Sequence, residues 1–467
     1  MVRLSRLFGP AMVLWPLFLG AQTQTDLTGI LERLDRLERE NRALTAEVRA
    51  LRAKIDASTE SPAPQPADGQ AADAQAVPDG VPANTPVSPG ATLDDKVEIQ
   101  GQRIGELAQT KVEASQKFPI RLTGMALFNA FQNSRQSGGL EYPLVASAPG
   151  AATDGATMRQ TIVGLEYRGP EALWGGNVHG TVYMDFAAGA SNQAVRMRTG
   201  SIEIDWKDRS IMAGIEKPIF NPREPSSLAQ VAVSPLTGAG NLWLWLPQVR
   251  FEQDLSFTRD TGLRAQVGVI QTREMGPYAG TNFTGTVEAA RPGLEGRFEF
   301  FHRLDDERRL EIAPGFHTSE THVAGLSVPS NLFSLDWFFN PWRRVEFTGA
   351  FYTGQNVAPL GEGYQQGFGI YYGHRAEAVG SRGGWGQLTI HTLPRLDFHL
   401  FTGQQDDNSR DLDAGLIGKN LLFGGNLYYH LAPNVILGLE TTQLRTTYIG
   451  QGIRINNHYD LALAYLF

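Results

Sequence analysis

The chain has 467 residues, 51 of them glycine, with 10% aromatic and 19% charged residues, a formal net charge of −8 and no cysteine. The lack of cysteine excludes a disulfide scaffold, a thiol nucleophile, a thiolate zinc site and a lipidated cysteine anchor. The acidic balance argues against a basic nucleic-acid surface. Past the N-terminus no run of about 18 apolar residues occurs, so no membrane-spanning helix is expected.

Residues 1–21 read as an export signal. Arg3 and Arg6 precede a short apolar core, Leu7 to Leu19, and the small residues Gly20 and Ala21 suit cleavage before Gln22. Residues 22–57 read as a coiled coil. Leu27, Leu34, Asn41, Val48 and Ile55 occupy heptad position a, and Ile30, Leu37, Leu44 and Leu51 occupy d. Asn41 at a buried a position costs stability but penalises slipped registers. The pattern favours self-association over a helix folded back on its own chain, and the heptads alone leave two strands or three open. Residues 58–91 form a spacer: between Thr59 and Gly90 lie seven prolines, seven alanines and no aromatic residue, a composition that buries no core. A short helix is expected over 92–116, with Leu93, Val97, Ile104 and Leu107 near heptad spacing.

From about residue 117 the period becomes two. Val178, Val182, Met184 and Phe186 alternate with His179, Thr181, Tyr183 and Asp185; Val249, Phe251 and Leu255 alternate with Arg250, Glu252 and Asp254. The final run sets Tyr459, Leu461, Leu463, Tyr465 and Phe467 against His458, Asp460, Ala462 and Ala464. Apolar strands of about ten residues, aromatic residues at their ends, and short turns alternating with long loops predict a transmembrane β-barrel over 117–467 rather than a soluble sandwich. Trp206, Trp337, Phe338, Phe339, Trp342, Trp385, Tyr428, Tyr429 and Tyr465 are the expected interface aromatics. Seventeen alternating runs can be counted, yet the up–down order of the turns places the run 364–372 inside a long outer loop. The expected fold is therefore all-β, about 16 antiparallel strands, wide enough for an aqueous channel.

The architecture of signal, heptads, Pro/Ala spacer and 16-strand barrel resembles the trimeric porins that carry an N-terminal coiled coil, in particular DcaP-type porins near the phosphate-selective group. The local likeness lies in Gly214-Ile-Glu-Lys-Pro-Ile-Phe-Asn-Pro222 and Asn241-Leu-Trp-Leu-Trp-Leu-Pro-Gln-Val-Arg250, which look like a strand, an inward-folded third loop and the next strand. The resemblance implies homotrimers in the bacterial outer membrane that pass small anionic solutes. Residues 117–467 carry four lysines against 25 arginines, a departure from a lysine ladder for phosphate. A terminal Phe467 resembles the signal read by the barrel assembly machinery.

The segment 218–246 is the longest stretch without alternation in the barrel half, and its prolines Pro218, Pro222, Pro225 and Pro235 suppress strand pairing. It is expected to fold inward and narrow the channel, with Trp243 and Trp245 packing its return limb. The expected constriction residues are Arg223, Glu224, Arg250, Glu252 and Arg264, with Arg223 as the basic contact for a solute. No catalytic, cofactor or metal site is expected: His302, His317, His322, His374, His391, His399, His430 and His458 stand singly, without ligand spacing, and no Gly-x-Ser-x-Gly elbow occurs. The leading expectation is a porin for passive diffusion of small hydrophilic solutes, its coiled coil in the periplasm. A second is a tether from membrane to cell wall, since a helix over 27–55 would reach about 43 Å. A barrel-embedded hydrolase ranks last.

Overall fold

A computed structural model describes residues 120–147, 150–189, 194–278, 286–371 and 375–467. The signal segment, the heptads with Asn41, the spacer and the helix expected over 92–116 lie outside the described residues.

Twenty strands follow one another: β1 (Ile120–Asn133), β2 (Thr153–Thr157), β3 (Ile162–Ala172), β4 (Gly176–Asp185), β5 (Arg196–Asp205), β6 (Arg209–Glu216), β7 (Leu246–Ser256), β8 (Thr261–Ile270), β9 (Val287–Ala289) and β10 (Gly293–Arg303). The second half continues with β11 (Arg309–Val323), β12 (Leu326–Trp342), β13 (Val345–Gln355), β14 (Phe368–Tyr371), β15 (Arg375–Ala378), β16 (Gly380–Leu393), β17 (Leu396–Asp407), β18 (Ile417–Ala432), β19 (Val435–Tyr448) and β20 (Gly452–Leu466). Eighteen of them share one sheet, and β14 and β15 form a separate hairpin. Two walls of the sheet are interrupted. β2 pairs with Asn129–Asn133 of β1 and β3 with Ile120–Met125 of the same strand, so together they make one wall. In the gap the Thr161 hydroxyl accepts from the Leu127 amide at 3.1 Å. β9 and β10 likewise share β11. Sixteen antiparallel walls result, and the register Met125↔Leu466 through Asn133↔His458 between β1 and β20 closes the ring. The run expected inside an outer loop is there: β14 pairs with β15 and with no barrel strand.

Alternation sorts the side chains as hydrocarbon outside and water inside demand. Along β20, Leu461, Leu463 and Tyr465 are 42%, 45% and 48% exposed, whereas Asp460, Ala462 and Ala464 are 6%, 2% and 0% exposed. The polarity is inverted relative to a soluble domain, with Asn129, Ser334, Asp336, Gln405 and Asn456 buried and Phe251, Phe298, Leu400 and Leu439 exposed. Closure leaves no unpaired sheet edge, the condition for backbone to lie in lipid. At the end bearing the short turns, Trp174, Phe257, Trp342, Tyr429, Tyr465 and Phe467 stand exposed in a girdle. The Phe467 main chain exchanges two hydrogen bonds with Gly124, at 2.9 and 3.1 Å. A Cβ on Gly124 would come within 2.8 Å of the Phe467 ring, so glycine makes room for the terminal side chain.

Three expected girdle residues instead face the lumen. Trp385 is buried among Leu236, Ala239, Phe401, Leu422 and Leu444. Tyr428 packs with the Leu127–Leu228 cluster. Phe338 lies under the guanidinium of Arg309, 4.4 Å from its ring centre. Each sits in the polar phase of its strand, where an aromatic ring serves packing against a loop rather than contact with lipid.

The outer face predicts a depth-dependent cost. Leu461→Arg should destabilise the folded barrel by about 2–4 kcal/mol, while Asp460→Asn on the opposite face, which keeps an oxygen to accept from Asn129 Nδ2 at 3.0 Å, should cost less. Denaturant unfolding in lipid vesicles checks both.

Candidate functional site

The loop 217–245 between β6 and β7 enters the barrel and circles its inner wall. Its course is set by wall side chains that take its main-chain groups in turn. The Ile219 amide donates to Glu295 Oε2 at 2.7 Å, and the Ser334 hydroxyl donates to the Phe220 carbonyl at 3.0 Å. Next, the Ser226 amide donates to Gln387 Oε1 at 2.7 Å and Asn426 donates to the Ser226 carbonyl at 2.8 Å. Asn129 donates to the Leu228 carbonyl at 2.9 Å, and Gln160 accepts from the amides of Val231 and Ala232 at 2.7 and 2.9 Å. The loop thus touches β10, β12, β16, β18 and β1 before returning. Its limbs are tied by Asn221, which donates to Asn241 Oδ1 at 2.9 Å and to the Leu242 carbonyl at 2.7 Å. Gly240, at φ +100°, presses so close to the wall that a Cβ would lie 2.3 Å from the Gly384 carbonyl oxygen. Of the two return-limb tryptophans, Trp243 is buried, and Trp245 lies beneath Arg198, 4.4 Å from the ring centre.

Three of the expected constriction residues fall into one ionic cluster on the wall β7–β12. Arg223 reaches Asp336 Oδ1 and Glu311 Oε2 at 2.6 Å each and Glu299 Oε2 at 3.2 Å. Arg297 holds the other Asp336 oxygen at 2.7 Å and Glu299 at 2.5 Å. Arg264 bridges Asp254 at 2.8 Å, Glu252 at 3.2 Å and Glu299 at 3.4 Å. Arg223 was expected to meet the solute. Its Nε and Nη2 are instead held by three carboxylates and its side chain is 16% exposed, so it ties the loop to the wall. Glu224 pairs with Lys217 of the same loop at 2.7 Å. Arg250 stands on the same wall with no ion pair among the described residues, its Nε buried and without a hydrogen-bond partner.

The cluster has a cationic counterpart that sequence reasoning missed. Arg196 and Arg198 on β5 converge on the single carboxylate of Asp185, both at 2.7–2.9 Å, and donate to the carbonyls of Ala232 and Val231. Next to them lies a cavity of about 350 Å³ lined in part by Tyr142, Arg159, Arg196, Gln230, His458 and Asp460. Both amide atoms of Gln230, and Nε2 of His458, are buried there without hydrogen-bond partners. Arg196 and Arg198 do stand in the inward phase of their strand, but nothing in the local sequence marks Gln230, a loop residue, as part of the same cavity. Toward the short turns, His179 meets Asp205 at 3.1 Å and Glu203 at 3.5 Å. These three are the one His/acid group among the described residues arranged to hold a metal. His179 and Glu203 are cross-strand neighbours on β4 and β5, a proximity that linear ligand spacing does not reveal.

Compared by sequence, the chain matches no family model and no curated protein. Its fold has solved counterparts. The outer membrane channel DcaP of Acinetobacter baumannii aligns with a TM-score of 0.63 at 15% identity, covering 74% of this chain and 97% of that one. An anion-selective porin from Comamonas acidovorans aligns with a TM-score of 0.51 at 10% identity, covering 74% of this chain and 99% of that one. The chain therefore shares the 16-strand channel fold.

Asp336 is the shared partner of Arg223 on the loop and Arg297 on the wall and is fully buried. Asp336→Asn should leave Arg297 and Arg223 with Glu299 and Glu311 as their remaining counter-charges and cost up to about 3 kcal/mol. A lowered unfolding midpoint in denaturant, with noisier single-channel current, is the expected result; an unchanged midpoint would place the anchorage of the loop elsewhere.

Proposed function

We propose that the protein is a DcaP-type porin of the bacterial outer membrane, passing small hydrophilic solutes by diffusion and favouring anions. The observation that carries this reading is the closed 16-strand ring with a lipid-compatible outer face and a loop folded inward across a polar lumen. The preference for anions rests on the arginines. The acidic cluster is spent on holding the loop, whereas Arg250 has no ion pair among the described residues and Arg196 and Arg198 share one carboxylate. Cations that outnumber the carboxylates beside them attract anions far more strongly in a narrow, low-dielectric passage than on an open surface. The cavity beside Arg196 is large enough for a small organic anion and offers it a buried amide at Gln230.

The same reading makes the short turns periplasmic and the long loops extracellular. It gives the heptads centred on Asn41 the task of joining three barrels in the periplasm. Transport rather than hydrolysis fits a lumen whose carboxylates on β7–β12 are bound to arginines and, through Arg223, to the loop.

Planar bilayer recording tests the proposal. The protein should give discrete conductance steps, with a reversal potential in a salt gradient that indicates anion preference. Arg250→Ala and Arg196→Gln should each move that potential toward cations without abolishing conductance. Absence of steps would overturn the channel reading, and an unmoved potential in both variants would overturn the assignment of selectivity to these arginines.

A further inference from the structure

The cavity of about 350 Å³ beside Arg196 is enclosed by the outer-loop segment 139–144, by 229–233 of the loop 217–245, and by wall residues that include Asn129 on β1 and His458 and Asp460 on β20. Gln230 makes the first demand on an occupant. It is 2% exposed, yet both atoms of its side-chain amide lack a hydrogen-bond partner. An amide buried in that state is costly, and a ligand that answers it must both donate and accept.

His458 makes the second demand. Asn133 donates through Nδ2 to the Leu140 and Glu141 carbonyls at 3.0 and 3.1 Å, so its Oδ1 faces His458 Nδ1 at 2.8 Å. Nδ1 therefore carries the proton, and Nε2 of the neutral ring is a bare acceptor. That nitrogen is buried without a partner. Two residues further along the same face, Asp460 accepts from Asn129 Nδ2 at 3.0 Å and has no ion pair among the described residues. Glu440, its cross-strand neighbour on β19, accepts from Ser227 Oγ at 2.7 Å and Asn426 Nδ2 at 3.1 Å, with the Tyr142 hydroxyl alongside. It too has no ion pair among the described residues. This side of the cavity thus presents acceptors and negative charge without a counter-cation.

The other side is basic. Pairing runs from β20 through β1, β3 and β4 to β5, where Arg196 and Arg198 share the one carboxylate of Asp185 and leave a positive charge in excess. Arg159 is matched by Glu141 at 3.1 Å. A plain anion would suit the arginines, but it would bring no donor to His458 Nε2 or Gln230 Oε1 and would set another negative charge beside Asp460 and Glu440. A plain cation would suit the acidic side and be repelled by the basic one. A solute bearing both charges meets both sides.

We propose that this cavity binds a free amino acid as its zwitterion, the ammonium toward Asp460, His458 Nε2 and Gln230 Oε1, and the carboxylate toward Gln230 Nε2 and Arg196. An ammonium carries three N–H donors, one for each of those acceptors. Phe131, Leu140, Leu144 and Val233 line further parts of the space, which suits an aliphatic side chain. The inference rests on the porin reading and names the solute class of this one subsite.

The test is titration calorimetry on the full chain folded in detergent, with L-leucine as the probe. Leucine should bind saturably. Leucinamide, which lacks the carboxylate, and 4-methylpentanoate, which lacks the amine, should each bind about tenfold more weakly or worse. Asp460→Asn, which keeps an acceptor for Asn129, should weaken leucine by about tenfold or more and leave 4-methylpentanoate unchanged or tighter; a merely structural loss would weaken both. Should that variant fail to fold, Gln230→Leu should weaken leucine in its place. Leucinamide or 4-methylpentanoate bound as tightly as leucine overturns the zwitterion, as does leucine binding undiminished in Asp460→Asn or in its substitute. No saturable binding of leucine overturns the site and assigns water to the unpartnered groups. Conductance steps of the wild type in planar bilayers separate the two failures: any of these results with steps present removes this inference alone, whereas absence of steps removes the porin reading.

Discussion

Every main-chain N–H and C=O that faces hydrocarbon must find its partner within the protein, and a sheet meets that demand only by closing on itself. The hydrogen-bonded seam between β1 and β20, from Met125↔Leu466 to Asn133↔His458, is the condition on which the rest depends. Once closed, the ring has an inside, and strict alternation sends every second side chain there. Lipid takes the apolar phase, so the lumen receives what a soluble protein would expose: Asn129, Glu299, Asp336, Asn420 and Asn456. The interior wall is therefore a polar surface looking for partners, and the loop 217–245 is one of them.

A loop held inside such a wall meets two opposing electrostatic needs. It must be fixed, which takes charge pairs and hydrogen bonds, and the passage beside it must keep some charge uncommitted if it is to select. The chain separates these tasks around the ring. On β7–β12, Arg223, Arg264 and Arg297 are matched by Glu252, Asp254, Glu299, Glu311 and Asp336 in one cluster. Buried pairs of this kind are weak evidence of net stability, because desolvation offsets much of their attraction. They are strong determinants of position, since a misplaced loop would strand several charges at once. On β5 the ratio is reversed, with two guanidinium groups on one carboxylate.

The barrel was legible in the sequence because period-two alternation, turn length and strand length are local and repeat many times. The strand count followed from the up–down order of the turns, and 368–371 indeed pairs only within the outer loop. The inward course of 218–246 was legible too, from its prolines and its missing alternation. The roles of individual charges were not. Arg223 reads the same whether it faces a solute or three carboxylates, and the carboxylates that decide the matter lie 76, 88 and 113 residues away. The arginine pair on β5 and the cavity at Gln230 are likewise meetings of distant segments, which only register and loop path bring together.

The aromatic residues misassigned to the membrane girdle explain how the loop finds its place. Loop 217–245 is not polar throughout; Ile219, Phe220, Leu228, Leu236 and Leu242 are all buried, and a wholly polar wall would offer them nothing. Where they land, the wall breaks its own pattern. Trp385, Phe401, Leu422 and Leu444 stand in the inward phase and receive Leu236 and Ala239, while Leu127, Ala462 and Ala464 receive Leu228. Apolar residues in the inward phase thus form islands, and each island faces a stretch of loop. The hydrogen bonds between them set orientation, and the islands supply area removed from water at roughly 25 cal/mol per Å². Read this way, an exception to alternation in a barrel strand is an address for something inside the barrel. Leu332 and Tyr352, which receive Val357 and Leu360 beside Phe220 and Leu246, extend the rule to a second loop.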